Sequence, residues 1–91
     1  MNWIINTECA QKLGKRVRAV REAKGWTQLA FAALSGYSRV AVWQWETGRN
    51  SLSVLRFAHL CSELGVSPGA ILELDDKEFK RYIKTLTPDY E

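Results

Sequence analysis

A chain of 91 residues, 46 % of them apolar and four of them Trp, suits one small domain with its own core and excludes intrinsic disorder. Two Cys without metal-ligand spacing exclude a secreted disulfide framework and a thiolate metal site, and no apolar run approaches the ~18 residues of a membrane span. Of the net charge of +3, residues 1–74 carry nine Lys and Arg against five Asp and Glu, and residues 75–91 four against five, which puts the basic potential on the main body, where nucleic-acid binding requires it.

Taken along the chain, the opening MNWIINTE has no basic segment followed by an apolar one, so no signal peptide is expected and a cytoplasmic location is. Thr7 is positioned to cap a first helix in which Leu13, Val17 and Val20 share one face, ending at Lys24-Gly25. Thr27 caps a second, with Phe31, Ala32 and Leu34 as its apolar contacts before Gly36. Ser38 caps a third, which Gly48 stops in the left-handed conformation, and residues 49–52 form a loop. Ser53 caps a fourth helix bearing Phe57, Leu60, Cys61 and Leu64. Ser67-Pro68 opens a short fifth that ends near Leu74. Asp76 is expected to cap a final helix with Phe79, Tyr82, Ile83 and Leu86 on one stripe, stopped by Thr87-Pro88. Cys9 and Cys61 both fall in helical patterns and read as buried reduced thiols. No strand alternation of useful length appears, so the fold expected is all-α and compact: five helices over residues 1–74 and a short C-terminal helical extension over residues 75–91.

The segment Ser38 to Gly48, SRVAVWQWETG, is the most informative. As a helix it turns Ala41, Val42 and Trp45 inward and presents Arg39, Val40, Trp43 and Gln44 outward. With the short helix before it across a tight Gly36 turn, it suggests a helix-turn-helix whose second helix enters the major groove. The groove offers matching chemistry: Arg39 to guanine, Gln44 to adenine, Val40 to a thymine methyl, and Trp43 against a methyl or a sugar. Gln28, in the first turn of the second helix, stands where free backbone N–H groups meet a phosphate, and Arg49 and Asn50 follow in a loop within reach of the same backbone. The plain alternatives are that Arg39 and Gln44 are ordinary exposed side chains and that Trp43 covers the core. Lys12, Lys15, Arg16 and Arg18 read better as solvent-facing charge than as phosphate contacts. Arg21 and Glu46 are either a pair locking the third helix across the domain or two unrelated surface charges.

From Leu13 to Leu72 the chain resembles the Cro/repressor-type helix-turn-helix family of phage and bacterial regulators. The residues that carry the likeness are Arg21, Thr27-Gln28, Phe31-Ala32, Gly36, Ser38, Val42, Trp45-Glu46, Gly48 and Leu64-Gly65-Val66-Ser67. The resemblance implies a lambda-repressor-like five-helix core, binding to a double-stranded DNA operator and homodimerisation. It places base contacts at Arg39, Val40 and Gln44, phosphate contacts around Gln28, Arg49 and Asn50, and the helix-positioning pair at Arg21 and Glu46. Leu72 and Leu74, or the terminal stripe, are candidate dimer surfaces; the stripe reads slightly better as cover for a thin core.

Two other classes of function compete with a DNA-binding transcriptional repressor. One is a protein-interaction or antitoxin subunit of the same fold, its partner protein held by Phe79 and Tyr82 together with Val40 and Trp43. The other, an enzyme, has little behind it: His59 and Cys61 are two apart and do not share a helix face, no triad, paired acid or phosphate-cradling loop is evident, and no cofactor or metal is expected.

Overall fold

The computed structural model describes residues 7–50 and 53–86. Among the described residues six helices follow one another: α1 Thr7–Ala23, α2 Gln28–Ser35, α3 Arg39–Glu46, α4 Val54–Leu64, α5 Pro68–Glu73 and α6 Asp76–Leu86. There is no strand among the described residues. Among the described residues no helix is long and apolar enough to cross a membrane. The side chain of Cys9, the second half of the loop at 49–52 and the Thr87-Pro88 stop lie outside the described residues.

Short side-chain oxygens set the starts of three helices. Thr27 Oγ1 accepts from the Ala30 N–H at 3.0 Å, Ser38 Oγ from Ala41 at 3.1 Å and Ser53 Oγ from Arg56 at 3.2 Å. Each bond satisfies an N–H that the helix itself leaves unpaired and contributes about 1 kcal/mol. α5 opens on Pro68 as expected, but Ser67 makes no side-chain cap bond. Thr7, expected to cap α1, is itself helical.

The start of α6 differs from expectation by one residue. Asp75, not Asp76, is the cap: its carboxylate accepts from the Glu78 N–H at 2.8 Å, and Glu78 returns the bond by accepting from the Asp75 N–H at 3.1 Å. Such a reciprocal box needs an acid or amide three residues beyond the cap. Asp75 has Glu78 at that spacing, whereas Asp76 has Phe79.

The core draws Leu13, Val17 and Val20 from α1, Phe31 and Ala32 from α2, Val42 and Trp45 from α3, and Phe57, Leu60, Cys61 and Leu64 from α4; Ile71 and Phe79 complete it. Burial pushes the Cys61 thiol up to about 11, so it stays protonated. Leu34, expected inside, is exposed. Ser35 takes the interior position, because Phe31, Ala32 and Ser35 define the buried stripe of α2, and its hydroxyl donates to the Phe31 carbonyl at 2.8 Å.

α6 lies on α1. Phe79 is buried in the common core and Tyr82, Ile83 and Leu86 pack against it, so Phe79 and Tyr82 do not form an open aromatic face. Arg16 fastens this corner. It is only 6 % exposed, not the solvent-facing charge its place in the sequence suggested. Its guanidinium donates to the Ile71 carbonyl at 2.7 Å and to Asp76 at 3.1 Å, and lies 4.6 Å from the centre of the Phe79 ring. The Arg16 hydrogen bond, helped by the charge of Lys12, holds the Asp76 carboxyl below the usual carboxylate range.

Candidate nucleic-acid interface

α3 is presented by a tight turn and seated by two glycines. α2 ends at Gly36, with φ of 83°, and the N–H groups of Gly36 and Tyr37 both reach the Ala32 carbonyl, at 3.0 and 3.2 Å. Tyr37 then packs edge-on against Trp45 with ring centres 4.9 Å apart. At the other end of α3 the chain touches α1 backbone to backbone. A β-carbon at Gly14 would overlap the Trp45 carbonyl oxygen and stand 2.8 Å from that of Glu46. One at Gly48 would stand 2.5 Å from Gln11 Cγ, so Gly48, at φ of 76°, both stops α3 and lets it close on α1.

Arg21 and Glu46 meet across the domain. Arg21 Nε donates to Glu46 Oε2 at 2.7 Å and Nη2 donates to Oε1 at 3.1 Å, with the two side chains 6 % and 1 % exposed. The third guanidinium edge donates to the Trp26 carbonyl at 2.5 Å. Gln28 joins them: its Nε2 donates to Glu46 Oε1 at 3.0 Å. The fork geometry makes the pair directional as well as strong, although both charges have lost water. One carboxylate thus ties the end of α3 to α1 and to the first residue of α2. Gln28, expected at a phosphate, turns an amide donor inward to this junction.

The outer face of α3 carries the expected side chains. Arg39 is exposed in the first turn, Val40 is 59 % exposed, Trp43 40 % exposed and Gln44 half-buried. Arg49 and Asn50 lie just beyond the helix and fold back onto it. The Arg49 guanidinium sits 5.0 Å from the Trp43 ring centre. The N–H groups of Arg49 and Asn50 reach the Gln44 carbonyl at 2.8 and 3.3 Å, and Asn50 Nδ2 donates to Gln44 Oε1 at 2.7 Å. Glu46 is the one carboxylate in the sequence between Glu22 and Glu63. Because it is buried and paired, Arg39 and Arg49 have no exposed acid from that stretch of sequence to offset them.

His59, by contrast, serves the scaffold. Its Nε2 lies 3.1 Å from the Ser35 carbonyl and its ring packs edge-on to Tyr37. Among the described residues no group of three or more His, Cys, Asp or Glu could hold a metal ion.

Two features of this region do not show in the sequence: the close approach at Gly14 and the contact of Asn50 with Gln44. Gly14 alone had an available signal, since glycine inside a 17-residue helix weakens it without some compensating approach.

Residues 12–74 match the helix-turn-helix domain family. The fold is similar to the crystal structure of the restriction-modification controller protein C.AhdI from Aeromonas hydrophila, with 31 % identity over 77 % of this chain and 94 % of that one, and a TM-score of 0.62. No curated protein matches the chain.

Proposed function

The chain belongs to the helix-turn-helix domain family, of the Cro/repressor type, and from that membership we propose that it is a sequence-specific regulator that reads a double-stranded DNA operator through α3 and represses by occupying it. One observation carries the proposal: a short capped helix, locked from behind by the Arg21–Glu46 pair that buries its only carboxylate, turns Arg39, Val40, Trp43 and the half-buried Gln44 outward. Arg39 and Gln44 take base edges, Val40 a thymine methyl, and Trp43 the groove wall. Arg49 and the first turn of α2 at Gln28 set register on phosphates, adding affinity and salt dependence without choosing a base, and Asn50 lies within reach of the same backbone. The architecture this implies is lambda-repressor-like.

A single helix reads too few base pairs to be selective, so the active species is a homodimer on two half-sites about 34 Å apart. Leu72, 40 % exposed beside Leu74, is the apolar candidate for its contact.

Selection of bound duplexes from a random pool tests the proposal. The expected product is a near-palindromic motif in which Arg39→Ala and Gln44→Ala each relax defined positions. Equal affinity for the selected duplex and a shuffled one, from folded protein across a salt series, would rule out sequence-specific recognition.

A further inference from the structure

Asn50 does more than follow α3. Its backbone N–H reaches the Gln44 carbonyl at 3.3 Å and its side-chain Nδ2 donates to Gln44 Oε1 at 2.7 Å. The backbone bond holds Asn50 against the end of α3, and the side-chain bond sets which end of the Gln44 amide faces Asn50. We infer that Asn50 is a specificity-determining residue: it occupies the carbonyl end of Gln44 and leaves the NH2 end to read the base. This rests on α3 being the DNA-reading helix.

The consequence for recognition follows from the edges in the major groove. A free glutamine pairs with adenine by donating to N7 and accepting from the N6 amino group. With Oε1 engaged by Asn50, the accepting half of that pairing is compromised while both amide hydrogens remain. Guanine offers two neighbouring acceptors, N7 and O6, and thymine one, O4. Gln44 therefore favours guanine, then thymine, instead of the adenine a free glutamine would take. Arg49 and Asn50 both spend their N–H groups on the Gln44 carbonyl, which keeps the loop folded against the helix end and the Asn50 amide in place.

The test is duplex selection with the full chain, its Gln44→Ala variant marking the position that Gln44 reads. Wild type is expected to select guanine there. Asn50→Ala frees Oε1 and should raise adenine relative to guanine at that position by about tenfold, the size of a modest base-edge contact. Asn50→Asp can only accept, so it turns the Gln44 NH2 toward itself and Oε1 toward the groove, and should favour adenine or cytosine. Its added charge weakens all sequences alike, which is why the ratio between bases is read. Asn50 is exposed, so both variants are expected to fold, and helical circular dichroism is the check. Adenine at the marked position in wild type overturns the inference. So does an unchanged preference in both variants with uniformly lower affinity, which makes Asn50 a phosphate contact only. A wild-type pool with no enriched motif rejects DNA reading by α3 altogether, a result distinct from either.

Discussion

Gly14 of α1 lies so close to the carbonyl oxygen of Trp45 that position 14 has no room for a β-carbon. The obstacle is the backbone of α3, which has no side-chain rotamer through which to yield. Gly14→Ala should therefore destabilise the fold by about 1–3 kcal/mol, despite alanine's better helix propensity. Urea unfolding measures it. A more stable Gly14→Ala would mean that the two helices separate at little cost.

Glu46→Ala leaves the Arg21 guanidinium buried without its counter-charge, and also removes the acceptor of Gln28. A loss of about 3–5 kcal/mol is expected, a large part of a small domain's stability. The double variant Arg21→Met, Glu46→Met should regain much of it, since no buried charge then remains. A double variant no more stable than the single one would place the cost elsewhere.

Phe79→Ala empties a core position and removes the ring beneath Arg16, with an expected cost of about 3–5 kcal/mol. A chain ending at Leu74 should melt well below the full one. Equal melting temperatures would make residues 75–91 an ornament to a self-sufficient domain.

Acid should loosen the same corner. The folded Asp76 carboxyl titrates below its unfolded value, so its contribution is complete above that value, near ~3.9, and is lost as pH falls through the lower folded one. Wild type is expected to lose stability below about pH 4 more steeply than Asp76→Asn. Parallel acid unfolding curves for the two proteins would deny the Arg16–Asp76 bond any role.

The Cys61 thiol is raised from 9.0 to about 11 by burial, so the stabilisation from keeping it neutral is complete below 9.0 and fades as pH rises through 11. In a Cys9→Ser background, a thiol reagent at pH ~8 should label the native protein far more slowly than the urea-unfolded one, the thiolate being the reactive form. Comparable labelling rates would show that the interior opens readily.

Much of the fold was legible because its signals are local. Thr27, Ser38 and Ser53 are short oxygens ahead of apolar helical patterns, and each makes its cap bond. Leu13, Val17 and Val20 repeat at spacings that bury one helix face whatever lies across from it. Two of the missed features depend on residues distant in sequence. Arg16 reads as surface charge until α5 and α6 return to it, 55 and 60 residues later. Gly14 looks like a helix defect until α3 arrives. Leu34 and Ser35 exchanged places because a helix of two turns has a narrow buried stripe, and hydropathy alone puts the leucine inside. For the candidate site, the outward set on α3 followed from periodicity, whereas the Asn50–Gln44 bond depends on how the loop folds back.

Glu46 sits where three helices converge, accepting from Arg21 of α1 and Gln28 of α2 while belonging to α3. Tilting α3 alone would strip a sunken negative charge of its donors, so the three helices swing together or not at all. A ligand seeking to pry the protein off its target has no lever to pull on the reading element by itself; it must displace the whole wedge.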